Sequence, residues 1–253
     1  EFGFPPDPSF TISADVMSGY LQTKIDREVA GFRVTGNVGV RVVHTDQSST
    51  SSLNNPVTGE RENVTRGDKY TDVLPSLNLS LHATDDDQIR FSASRQISRA
   101  RFFELRNSIN VNVDGSGFPS GGGGNPELRP FRANQFDLSY EHYFGSDGLL
   151  SVAAFYKQLK SFIIGGTIEP FNFVEQGITL PPVSGGGAAQ PVGRVSAPVN
   201  GEGGRVYGFE FNFIKSFSEL PAPFDGLGVV LNYAYSKSNL DITNGLSGED
   251  FTI

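Results

Sequence analysis

Hydrophobic and polar residues alternate with period two along much of the chain, most regularly over residues 70–106. Leu77, Leu79, Leu81 and Ala83 share one parity, and Ser76, Asn78, Ser80 and His82 the other. After Thr84-Asp85-Asp86-Asp87 the pattern resumes: Ile89, Phe91, Ala93 and Ile97 oppose Gln88, Arg90, Ser92, Ser94 and Gln96. Successive side chains of a strand point to opposite faces, so this stretch predicts two strands joined by a tight acidic turn.

The same alternation recurs on both sides. Met17, Gly19, Leu21, Thr23 and Ile25 oppose Ser18, Tyr20, Gln22 and Lys24, and Val34, Val38, Val40 and Val42 oppose Thr35, Asn37 and Arg41. Phe136, Leu138, Tyr140 and Phe144 oppose Asp137, Ser139, Glu141 and Tyr143, with a less regular partner over 149–162. Tyr207, Phe209, Phe211 and Phe213 oppose Gly208, Glu210 and Asn212, and Val229, Leu231, Tyr233 and Tyr235 oppose Val230, Asn232, Ala234 and Ser236. The reading is all-β, with about eight strands of roughly 10–15 residues, long against the usual ~5–6. The connections between them alternate short and long. Residues 47–68, 98–133, 165–204 and the tail from 239 read as long loops without periodicity, the second containing GSGFPSGGGGNP at 115–126.

Long structureless loops need a reason inside a compact domain. A transmembrane β-barrel supplies one, with short turns at one end and long loops at the other. It gives both faces a role: the apolar and aromatic face meets lipid, while Arg41, Arg90, Asp137, Glu141, Glu210 and Asn232 face a wet lumen. A soluble β-sandwich binding module produces the same alternation with its faces reversed, and a passive porin-type channel shares the strands and loops. Strand length and the order of the loops favour antiparallel transmembrane barrel strands. Eight strands close only a small barrel filled by side chains. Both ends of the chain read as loop, so these strands are expected to belong to a larger wall and to a longer protein.

Composition narrows the function classes. The chain has 253 residues and a formal net charge of −8, which argues against nucleic acid, since binding phosphate needs a basic face. It contains no cysteine, which removes disulfides, thiolate metal sites and cysteine nucleophiles. No apolar run is long enough for a spanning helix, and that leaves a membrane β-barrel open. His44, His82 and His142 stand on different strands without the spacing of a metal site. The aspartates 85–87 read as a turn, and the glycines 121–124 lack the following helix of a phosphate loop. No local Ser/His/Asp set is recognisable. The expectation is a protein that is not an enzyme, with no cofactor and no metal.

Several stretches resemble one family. YTDVLPSLNLSLHATDDDQIRFSASRQISR at 70–99 is similar to the barrel of TonB-dependent outer-membrane receptors, in particular to a bacterial subgroup with an LPS-N-L strand, a TDD-type turn and an R-F-A-S-R strand. Residues 124–163, VNGEGGRVYGFEFNF at 199–213, GLGVVLNYAYSKS at 226–238 and GNVGVRVVHTD at 36–46 agree with it. The resemblance implies a 22-stranded barrel in a Gram-negative outer membrane, enclosing an N-terminal plug. It also implies TonB-energised uptake of a scarce large nutrient, an iron chelate or a saccharide. The expected partners are the TonB complex, acting through the plug, the bilayer with its lipopolysaccharide, and the nutrient. Residues 1–253 would be part of that barrel domain, with the plug, the TonB box and the last strands absent. Two departures stand out: Arg99 is followed by Ala100 where the family often has Pro, and tryptophan is missing from the girdles.

Ligand contact is expected at the long-loop end. Arg99, Arg101 and Arg129 suit an anion, because guanidinium pairs bidentately with carboxylate or phosphate. Phe102, Phe103 and Phe131 offer rings to a sugar or an aromatic chelator. The plainer account of the arginines is pairing with nearby acids or with lipid headgroups. That of the aromatics, Phe118, Phe171 and Phe173 included, is packing of the loops on one another.

Overall fold

The computed structural model describes residues 10–54, 60–176, 178–183, 186–243 and 250–251. Eight long strands follow one another in an antiparallel wall: β1 (Phe10–Val29), β2 (Phe32–Asn54), β3 (Arg61–His82), β4 (Asp87–Ser98), β7 (Phe131–Tyr143), β8 (Gly148–Asn172), β10 (Gly203–Ser216) and β11 (Gly228–Thr243). Between β4 and β7 lie a single 3-10 turn (Phe102–Leu105) and two short strands, β5 (Ile109–Val113) and β6 (Pro119–Gly123). β9 (Val192–Gly201) lies between β8 and β10 in sequence, and a two-residue β12 (Asp250–Phe251) pairs with the end of β11.

Register carries the two faces from strand to strand. Leu77 pairs with Ala93, Leu79 with Phe91 and Leu81 with Ile89, while Asn78 pairs with Ser92 and Ser80 with Arg90. The apolar rows continue as Phe91–Leu138–Ala154–Phe209–Tyr235 and Ile89–Tyr140–Val152–Phe211–Tyr233. Leu79 also sits beside Gly36, and Val40 beside Leu21. Leu21, Leu138 and Tyr233 are 76%, 52% and 56% exposed, so this face is uncovered among the described residues. That is the reverse of a sandwich, whose apolar faces pack on each other.

The short connections have explicit chemistry. Val29 pairs with Phe32 across Ala30 and Gly31, at φ 53° and 83°. This is the primed turn that matches the twist of a two-residue hairpin. In the turn before β4, the Thr84 hydroxyl accepts the backbone N–H groups of Asp86 and Asp87 and donates to the Asp87 carboxylate at 2.6 Å. The Asp-rich stretch is thus a turn, as its composition suggests.

The other end departs from the expected loops. Much of residues 47–68 is strand: β2 runs to Asn54 and β3 begins at Arg61, with residues 55–59 outside the described part. Residues 165–204 are likewise partly ordered as the end of β8 and all of β9, and 98–133 holds β5 and β6. The glycines 121–123 lie in β6. From 239 onward β11 continues to Thr243. β8, at 25 residues, reaches about 80 Å, whereas a tilted strand crosses a bilayer in ~9–11 residues. The strands therefore overrun any membrane at their long-loop ends. Polar sequence there still forms ladder, because the backbone satisfies its hydrogen bonds regardless of side-chain polarity, and threonine suits the pleat.

Candidate functional site

Arg41, Arg90, Asp137, Glu141, Glu210 and Asn232 share the polar face. Ser92 pairs with Asp137 and Gln88 with Glu141, Glu141 with Ser151, Ser151 with Asn212 and Asn212 with Asn232. Glu210 pairs with Ala153, and Arg41 with Leu74. Arg90 Nε lies 3.1 Å from Glu141 Oε1, the Tyr143 hydroxyl donates to Glu141 Oε2 at 2.6 Å, and Ser92 Oγ donates to Asp137 Oδ2 at 2.8 Å. Most of these groups are already paired across the strands.

At the long-loop end, residues 98–131 are strapped across this face. On one side Gln47 Nε2 donates to the carbonyls of Pro126 (3.0 Å) and Leu128 (2.7 Å), and the Tyr70 hydroxyl donates to Gln47 Oε1 at 3.1 Å. The Asn107 N–H donates to Ser49 Oγ at 2.9 Å, and Ser51 Oγ donates to the Asn107 carbonyl. On the other side Arg129 N–H donates to Asn200 Oδ1 (2.9 Å), while Asn200 Nδ2 donates to the Arg129 carbonyl (2.8 Å). β6 pairs antiparallel with β5 and parallel with β9, which pairs with β8, giving a small sheet in the order β5–β6–β9–β8.

The small sheet is two-faced. One side packs Ile109, Val111, Ile168, Val195 and Ala197 on fully buried Phe173, whose ring meets Phe171 edge-on at 4.9 Å. Those two phenylalanines follow the loop-packing account. The opposite side forms two cross-strand rows, Asn110–Gly122–Ser196–Thr167 and Asn112–Ser120–Arg194. Two cavities lie along it. One of about 580 Å³ is bounded by Phe103, Glu104 and Arg106 opposite Ile163 and Gly165; one of about 480 Å³ covers the two rows. They share Thr167 and Ser196.

The six residues expected at a ligand site do not converge. Phe103 lines the first cavity. Arg99 lines a separate one of about 430 Å³ with Arg41 and Arg95, beyond Ser76 and Ser94, where the β3–β4 pairing ends. Arg101 and Phe102 lie exposed at the 3-10 turn. Arg129 is held by Asp68 at 3.0 Å, and Phe131 opens β7 opposite Ser98. The residues of the polar rows were not singled out from sequence. The alternation Ile109-Asn110-Val111-Asn112-Val113 was the available signal, masked by the glycines that pair with it.

Among the described residues no cluster of His, Asp and Glu is arranged to hold a metal ion. His142 Nδ1 lies 2.8 Å from Asp87 Oδ1. Hydrogen bonds from Thr84, then Tyr140 and His142, hold the Asp87 carboxyl at about 2. In the long-loop region Asp114 is held below the usual carboxylate range, first by the Ser116 hydroxyl and then by the Phe118 N–H. Both are turn devices.

Known proteins can be set beside this geometry. Solved structures with the same fold include the ferric citrate transporter FecA in its unliganded form, with a TM-score of 0.54 and 16% identity over 95% of this chain and 28% of that one. The ferric enterobactin receptor PfeA gives 0.53 and 15% over 92% and 38%. The siderophore receptor PirA from Pseudomonas aeruginosa gives 0.48 and 14% over 92% and 46%. The chain thus spans less than half the length of each. The comparison with curated proteins returned no match. The family model for the TonB-dependent receptor-like β-barrel matches residues 2–252. The chain belongs to the TonB-dependent receptor β-barrel family.

Proposed function

We propose that this chain supplies wall strands and ligand-facing outer structure to an outer-membrane receptor that imports a scarce iron chelate, energised by TonB acting on a plug outside this stretch. The observation that carries the reading is the register, which keeps one uncovered apolar face along eight successive strands. That face meets the bilayer and its lipopolysaccharide; the polar face lines the lumen, with the strapped 98–131 segment over its mouth.

Family membership favours energised uptake over a passive porin-type channel. The names of FecA and PfeA, both receptors or transporters of ferric complexes, support an iron chelate as cargo. A saccharide has no such support. The test is uptake of ferric complexes labelled with radioactive iron by cells carrying the full-length receptor, with and without TonB. TonB-dependent accumulation is expected. Accumulation independent of TonB overturns energised uptake, and no role in iron acquisition overturns the cargo.

A further inference from the structure

We propose that the two polar rows of the β5–β6–β9–β8 sheet, together with the adjoining Phe103–Arg106 wall, bind the cargo through a carboxylate-bearing, oxygen-rich anionic group. This deepens, and rests on, the reading of the chain as part of an iron-chelate receptor.

The two rows hold unused hydrogen-bonding capacity. Asn110, Asn112, Ser120, Ser196, Thr167 and Arg194 have no side-chain hydrogen bond or ion pair among the described residues, whereas the polar groups lower on the same face are largely paired. Adjacent positions in such rows stand about 5 Å apart, within reach of one small ligand. The middle of the first row is open: a Cβ at Gly122 meets only the Ser196 carbonyl, at 3.9 Å. The reverse side of the sheet is closed around Phe173, so the donors sit on a rigid support.

Charge also favours an anion. In a chain of net charge −8, the two cavities are lined by Arg194 and Arg106 against one acid, Glu104. Glu104 Oε2 is occupied by the Arg101 N–H at 2.7 Å, and neither arginine has an ion-pair partner among the described residues. A guanidinium matches a carboxylate bidentately, and amides and hydroxyls serve its remaining oxygens. A neutral sugar leaves both guanidinium groups without counter-charge.

The rows are also placed on the ligand-facing side. β8 pairs with β9 and β10 in one register, from Leu159 opposite Gly204 to Phe162 opposite Gly201 and Thr167 opposite Ser196. Thr167 therefore keeps the parity of Ala153, which neighbours Glu210, and the rows continue the polar face of the wall. The cavities have the size of small-ligand sites.

The test measures uptake and cell-surface binding by the full-length receptor with two probes, ferric citrate and a ferric trihydroxamate lacking carboxylates. Arg194→Gln and Gly122→Leu are expected to raise the half-saturating concentration of ferric citrate about tenfold. Arg205→Gln, in the opposite-face row Gln158–Arg205–Asn239, is expected to leave it unchanged, all at equal receptor levels in the membrane. Unchanged ferric citrate saturation in both row variants overturns the site and leaves the iron-uptake reading standing. Uptake of the trihydroxamate alone overturns the anionic chemistry. Uptake of neither overturns this proposal, and the iron-limited growth of a deletion strain then decides whether the uptake reading falls with it.

Discussion

Arg132 and Asp72, on β7 and β3, meet with Nε 2.5 Å from Oδ1, although neither strand pairs with the other. Asp72 is 5% exposed, and the Arg132 guanidinium carbon also lies 5.7 Å from the centre of the Tyr70 ring. A register shift between Arg132 and Ala133 makes the contact possible. The extra residue is Lys160 of β8, opposite this step, and the disrupted pairing means that parity no longer dictates where Arg132 points. The pair ties the top of β7 to β3, where β4 still pairs with β7 but no longer with β3.

Removing Arg132 leaves a buried carboxylate without its partner. Arg132→Ala is expected to destabilise the outer part of the wall by about 3 kcal/mol. The check is the midpoint of heat-induced unfolding, followed by the gel shift of folded barrel in detergent. Arg33→Ala, which breaks the exposed 3.1 Å pair with Asp26, is expected to change that midpoint little.

Gln47 holds the strap. Its amide serves two backbone carbonyls and the Tyr70 hydroxyl, and it is 4% exposed. Gln47→Leu leaves three polar groups unsatisfied and is expected to cost about 2–3 kcal/mol. Hydrogen exchange of residues 105–130 is expected to rise while exchange in the lower wall stays constant.

The turn at Ala30-Gly31 carries a non-glycine residue at φ 53°. Asparagine tolerates that region and a β-branched residue does not. Ala30→Asn is expected to stabilise by about 0.5 kcal/mol and Ala30→Val to destabilise by about 1–2 kcal/mol. The two melting midpoints should move in opposite directions from wild type.

Asp87 makes turn stability depend on pH. Its folded pKa of about 2 lies below the ordinary 3.8. The folded state thus binds the proton less readily than the unfolded one. The charge-dependent stabilisation is complete above roughly pH 5 and is lost as pH falls from 3.8 to 2. Wild type and Asp87→Asn should differ most in melting midpoint near neutral pH and converge towards pH 2.

The wall was legible in the sequence wherever its two faces use unlike residues. Leu77, Leu79 and Leu81 against Asn78 and Ser80 fix both strand and register, and Phe136, Leu138 and Tyr140 do the same for β7. The upper strands were hidden because both faces are polar there. Thr45, Gln47, Ser49 and Ser51 are buried under the strap, yet they alternate with Asp46, Ser48 and Thr50. Polar residues buried in this way, Gln47, Ser49 and Ser51 by hydrogen bonds to the strap and Thr45 without a partner for its hydroxyl among the described residues, leave no hydrophobic signature. The small outer sheet was hidden for another reason. Gly121 and Gly123 sit where a Cβ would meet Ile109 at 2.9 and 2.7 Å, so the close approach that requires glycine also makes the strand read as a loop. Arg132 escaped parity through the bulge opposite it, at Lys160 of β8.

On the proposed function, one face of this sheet meets lipid and the other water. This chain contributes no cysteine, so in a full-length receptor cleared of any cysteine outside it, single cysteines placed along β7 can each carry one spin label. The direct measurement is relaxation of labels at 136–141 in bilayers by oxygen, which partitions into lipid, and by a water-soluble nickel complex. Strict alternation is expected: oxygen dominates at Phe136, Leu138 and Tyr140, and nickel at Asp137, Ser139 and Glu141. Uniform nickel access along the strand, or oxygen access at the odd positions, would contradict it.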